Sequence, residues 1–108
     1  MSDAFMDDDC PATPKFPGCL VREMKIVNRK GLHARATAKF VQCVEKFDTT
    51  EVFVHRCGET VGGASIMGIL TLGAGIGSTI TVAAKGEGAE AAMDAIEALV
   101  AGRFGEDE

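Results

Sequence analysis

Gly31-Leu32-His33-Ala34-Arg35-Ala36-Thr37-Ala38-Lys39-Phe40 is the stretch in which the periodicity of the chain changes. Before it, Leu20 to Val27 alternates, with Met24 and Ile26 on one face and Glu23 and Lys25 on the other, the period-2 pattern of a half-buried strand. Asn28-Arg29-Lys30-Gly31 breaks that pattern as a turn. After it the period is 3.6: Thr37, Phe40, Val41 and Val44 form an apolar stripe and Arg35, Lys39, Gln42 and Lys46 a polar one, so the spacing predicts an amphipathic helix ending near Phe47. His33 therefore sits where a strand and a turn give way to a helix start. Backbone N–H groups lack partners there and the helix dipole favours anions.

Working outward toward the C-terminus, Glu51 to His55 is β-branched and aromatic, and Arg56-Cys57-Gly58 reads as a tight turn into a partner strand, Glu59 to Val61. Ser65 is a natural N-cap for a short helix over Ile66-Met67-Gly68-Ile69-Leu70-Thr71-Leu72. Gly73-Ala74-Gly75-Ile76-Gly77 is a turn before a last strand carrying Ile80, Val82 and Ala84, and Ala89 to Val100 repeats helically up to Gly102. The order β-α-β-β-α-β-α describes an α+β domain, one sheet with its helices on one face.

Length and composition narrow the classes. The 108 residues make one domain with a modest core, at 46% hydrophobic content. No apolar run reaches the roughly 18 to 20 residues of a membrane span, and the acidic N-terminus is unlike a signal peptide. These features predict a cytoplasmic protein that does not engage membranes. Residues 1–20, with Asp7-Asp8-Asp9 and three prolines, read as a disordered extension; 21–105 read as the folded domain and 106–108 as an acidic tail. The four cysteines, Cys10, Cys19, Cys43 and Cys57, are scattered and form no CxxC, so they read as small apolar fillers or free tail thiols, and no metal site is expected.

The net charge of −5 hides a local excess of the opposite sign. Within 22–46, the seven cations Arg22, Lys25, Arg29, Lys30, Arg35, Lys39 and Lys46 stand against Glu23 and Glu45, a balance of +5 around His33. Such a patch suits an acidic partner or an anionic group. Nucleic acid is disfavoured by the acidic whole and the absence of Trp and Tyr.

At His33 these features point to a phosphoryl acceptor: a nucleophilic imidazole at a helix start, with Arg35 two residues on as a forked donor to phosphate oxygens. His55, at the end of a strand with only Arg56 as a cationic neighbour, reads as a surface strand residue. Ser65 is explained as an N-cap and, beside Ile66 and Met67, is equally compatible with regulatory phosphorylation. Gly73-x-Gly75-x-Gly77 lacks the Gly-Lys-Ser/Thr ending of a P-loop, so the chain reads as a recipient of phosphate, not as an enzyme that makes or moves it from a nucleotide. No cofactor is expected.

Gly31-Leu32-His33-Ala34-Arg35 before a basic helix, Ser65-Ile66-Met67-Gly68-Ile69-Leu70 after a hairpin, and Leu72-Gly73-Ala74 leading to the last strand resemble the histidine-containing phosphocarrier family HPr of the bacterial phosphoenolpyruvate-dependent phosphotransferase system. The resemblance covers about residues 21–104. It implies an open-faced β-sandwich with a four-stranded antiparallel sheet and three helices on one face. It also implies a carrier, acting as a monomer, that accepts phosphate on Nδ1 of His33 from phosphorylated enzyme I and passes it to a histidine of EIIA-type proteins. By the same resemblance Arg35 is the phosphate-stabilising arginine and Ser65 the target of HPr kinase/phosphorylase. The N–H groups of Ala34, Arg35 and Ala36 would hold phosphoryl oxygens, and Lys39, Ile66, Met67 and Leu70 would form the docking surface. Ala36 stands where the family usually has proline, which keeps the helix but loosens its first turn. Two other readings fit the same elements: a regulatory relay without sugar transport, as in the nitrogen-related branch of the system, and a ferredoxin-like small-ligand module.

Overall fold

The computed structural model describes Cys10 and residues 12–108. Strands β1 (Leu20–Lys25), β2 (Thr50–Arg56), β3 (Glu59–Gly62) and β4 (Thr79–Gly86) form one antiparallel sheet in the order β1-β4-β2-β3. Helices α1 (Ala34–Glu45), α2 (Ile66–Thr71) and α3 (Ala89–Ala101) all bury their apolar stripes against one face of it. The architecture is the expected open-faced β-sandwich in the expected element order.

The core forms where the two periodicities meet. From the sheet come Met24, Val52, Val54, Ile80, Val82 and Ala84, from α1 Ala36, Phe40, Val41 and Val44, and from α3 Met93, Ile96 and Val100. Fully burying an aliphatic side chain of this kind stabilises by roughly 1.5–3 kcal/mol, so the helix stripes, not helix propensity, hold the layers together. The turn from Cys57 to Gly58 has positive φ at both residues, the twist that a two-residue hairpin turn needs between Arg56 and Glu59.

The sheet's outer face is covered in part, and there His55 departs from the sequence reading. Thr81 and Ala83 are buried although they point away from the helices. As the central strand's residues they are flanked in register by Glu23 and His55, and by Val21 and Phe53, whose larger side chains shelter them. His55 is not a surface residue: it is only 3% exposed. Its Nδ1 lies 2.8 Å from Thr60 Oγ1, and the ring of Phe16 packs edge-on against it, centroids 6.2 Å apart. The chain before β1 thus covers part of this face.

The cysteine reading is corrected as well. Cys10 and Cys57 form a disulfide, their Cα atoms 4.7 Å apart, a pairing between positions 47 residues apart that spacing alone does not reveal. Cys19 and Cys43 are free. Of the stretch expected to be disordered, residues 1–9 and 11 lie outside the described residues. No helix among the described residues is long and apolar enough to cross a membrane.

Candidate phosphoryl-acceptor site

Gly31 sets the entry into α1. At φ +69 it lets the chain turn, and a Cβ there would stand 2.6 Å from the carbonyl oxygen of Ala74. The close approach is used at once, because Leu32 N–H donates to that same carbonyl at 2.9 Å and Leu32 is buried. Asn28, fully buried, closes the turn from the other side by donating from Nδ2 to the Gly31 carbonyl at 2.8 Å. Glycine, leucine and asparagine together fix where the next residue points.

That residue is His33, and it is the N-cap of α1. Its backbone is extended (φ −77, ψ −177), its carbonyl takes the first helical bond from Thr37 N–H, and its own Nδ1 accepts from Arg35 N–H at 3.3 Å. Histidine here does what serine or aspartate does at most N-caps. On the other side of the ring, Nε2 lies 2.6 Å from Glu106 Oε2. An N–H donating to Nδ1 and a carboxylate at Nε2 are satisfied together by one neutral tautomer, protonated on Nε2 with the lone pair on Nδ1. The His33 side chain is 28% exposed.

The ring borders a groove of about 460 Å³ lined by Arg29, Lys30, Arg35 and Lys39 and by residues 105–108. Arg35 is exposed, and Ala36, at the proline position of the family motif, is fully buried under the helix start. The N–H groups of Ala34, Arg35 and Ala36 belong to the first helical turn, whose donors have no intrahelical acceptor. Lys39 is less free than its spacing implies, since Nζ donates to the Phe104 carbonyl at 2.7 Å.

The second sequence motif is also a helix start. Ser65 Oγ accepts from Gly68 N–H at 3.0 Å, and a Cβ on Gly68 would come within 2.8 Å of that oxygen, so glycine here leaves room for the cap. Ile66 and Met67 are 43% and 71% exposed, Ile69 is buried in the core and Leu70 is half-buried.

The sequence reading missed Glu106. Its carboxylate takes an Nδ2–H bond from Asn28 at 3.0 Å on one oxygen and faces His33 on the other. The Asn28 amide first, and His33 second, hold this carboxyl below its ordinary range. The chain reaches the site because Phe104, fully buried with φ +55, turns it back after α3, and because Arg29 binds Glu108 through its side chain at 2.7 Å and its N–H at 2.9 Å. The available signals were an acidic tripeptide on a chain with a +5 cluster, and an isolated Phe104 between glycines that needs burial.

Comparisons with known proteins agree with this geometry. The family model described as "PTS HPr component phosphorylation site" matches residues 20–102. The phosphocarrier protein HPr of Cupriavidus necator is 48% identical over 89 residues, covering 82% of this chain and 99% of that one. The phosphocarrier protein NPr of Shewanella violacea is 42% identical over 87 residues, 81% of this chain and 94% of that one. Among solved structures, HPr from Thermoanaerobacter tengcongensis superposes with a TM-score of 0.78 at 36% identity, covering 82% of this chain and 99% of the other. With its motif histidine capping the first helix of an open-faced sandwich and the family match running from β1 to the end of α3, the chain belongs to the HPr family of phosphotransferase-system phosphocarriers and is not itself an enzyme.

Proposed function

We propose that the protein carries a phosphoryl group on Nδ1 of His33, received from phosphorylated enzyme I and passed to a histidine of an EIIA-type protein. The observation that carries this reading is the Arg35 N–H to Nδ1 bond, because it fixes the lone pair on Nδ1 at the mouth of a cationic groove. In the transfer the Nδ1 lone pair attacks phosphorus in line as the bond to the donor nitrogen breaks and its electron pair returns to the donor. For the attack the ring swings off the Arg35 N–H to free that lone pair, and the vacated N–H donates to a phosphoryl oxygen, joined by the N–H groups of Ala34 and Ala36 and by the Arg35 guanidinium. Lys39 and its basic neighbours attract acidic partner surfaces, while Ile66, Met67 and Leu70 supply apolar contact. Phosphate on Ser65, added by HPr kinase/phosphorylase, is held by the helix start it caps; its charge of about −1.5 to −2 repels an acidic partner from that surface. The carrier works as a monomer in the cytoplasm. Neither Cys10 nor Cys57 lines the groove.

Incubation with enzyme I and phosphoenolpyruvate tests the assignment. Acid-labile label is expected on the wild type and on His55→Ala and is expected to vanish in His33→Ala; label persisting in His33→Ala contradicts it. A second reading, a regulatory relay without sugar transport, has one observation in its favour, the likeness to the Shewanella violacea NPr. Transfer to nitrogen-branch but not sugar-type EIIA proteins would decide for it.

A further inference from the structure

Glu106 makes a contact that carrying a phosphoryl group does not in itself require, and it lies beyond residues 20–102, the part that the family model matches. The tail is pinned on both sides of it, by buried Phe104 and the Lys39 bond to the Phe104 carbonyl before, and by the Arg29 contacts to Glu108 after. Asn28 holds one carboxylate oxygen, and only His33 takes the other, at 2.6 Å. Although Lys30, Arg35 and Lys39 line the same groove, no ion pair joins any of them to Glu106 among the described residues. The carboxylate side chain is 16% exposed, so water does not screen the contact fully.

We propose that Glu106 is a positioning residue for His33: it holds the ring by Nε2–H, which keeps the proton on Nε2 and the lone pair on Nδ1, and it balances the charge that the ring acquires. This rests on His33 being the acceptor. As the Nδ1–P bond forms and the donor's bond to phosphorus breaks, the Nε2 proton stays in place and the imidazole becomes formally cationic. A carboxylate already in contact stabilises that cation without moving. Lys30 and Arg35, which line the same groove, would meet the arriving phosphoryl oxygens, so the ring's new positive charge and the transferred anion each have an opposite charge beside them. A tail that merely blocked the groove would act in the other direction, and its removal would speed the reaction.

The test compares wild type, Glu106→Gln and Glu106→Ala by the initial rate of acid-labile labelling across a range of enzyme I concentrations at fixed phosphoenolpyruvate. A charge-assisted hydrogen bond lost from the transition state predicts a maximal rate about tenfold lower in Glu106→Gln, with the half-saturating enzyme I concentration unchanged within about twofold. Glu97→Gln, the same charge change on α3, keeps the wild-type rate. In 15N-labelled protein the His33 Nε2–H cross-peak is expected in the wild type and lost to exchange in Glu106→Ala. A maximal rate in both Glu106 variants equal to or above wild type, or an effect confined to half-saturation, overturns the inference and leaves His33 as acceptor. Absence of label from the wild type, or its survival in His33→Ala, overturns the carrier reading itself.

Discussion

The two histidines of this chain are separated by 22 positions and by opposite physical settings. His33 is the N-cap of a helix, with hydrogen-bond partners on both ring nitrogens and a cationic groove before it. His55 lies within β2, bonded to Thr60 through Nδ1, covered by Phe16, and with a buried Nε2 that has no hydrogen-bond partner among the described residues. On the proposed function, reactivity here is a property of the backbone around the ring. A helix start offers unpaired donors to an anion attached to its cap. The interior of a sheet has already used its donors on neighbouring strands.

The comparison can be broken most sharply at the arginines. Each histidine has an arginine within two residues of it in sequence, but the Arg56 guanidinium donates to the Leu72 carbonyl at 3.0 Å, whereas Arg35 is exposed at the groove. Arg35→Ala should lower the rate of phosphoryl transfer by roughly 10- to 100-fold, the value of a hydrogen bond to a charged group, and Arg56→Ala should leave it within about twofold of wild type. Equal effects would mean that general charge, not the helix-start geometry, sets the rate.

A stability measurement should reverse the ranking. His55→Ala opens a space under Phe16 and strips Thr60 of its partner, at a cost of about 1–2 kcal/mol in urea unfolding. His33→Ala removes a cap, at about 1 kcal/mol or less. If His33 proved the costlier of the two, its contacts would be structural before they were functional.

The smallest effect concerns pH. Because the folded-state value of the Glu106 carboxyl is depressed, chiefly by Asn28, the docked tail is favoured above the ordinary carboxylate range of about 4.3 and loses that support as pH falls through the folded value. The backbone amide signals of residues 106–108 should therefore move on acidification in that window.

Most of the fold was legible because β1, α1 and the hairpin carry clean periods of 2 and 3.6. The place of His33 at a helix start was legible because a strand, a glycine turn and a basic helix converge on it in sequence. What escaped depended on contacts between distant parts of the chain. The burial of His55 requires Phe16 from the segment before β1, and the disulfide joins Cys10 to the hairpin turn at Cys57. Glu106 reaches His33 only because three left-handed residues, Arg103, Phe104 and Gly105, fold the chain back. No local pattern encodes such meetings; a buried aromatic between glycines and an acidic end near a basic cluster are the nearest substitutes.

On the proposed function His33 presents Nδ1, with Nε2 protonated, to phosphorus. The most direct measurement is a 15N–31P correlation spectrum of uniformly 15N-labelled protein after reaction with enzyme I and phosphoenolpyruvate. Coupling of phosphorus to Nδ1 of His33 is the predicted result, and phosphorus on Nε2 of His33 or on either nitrogen of His55 would contradict it.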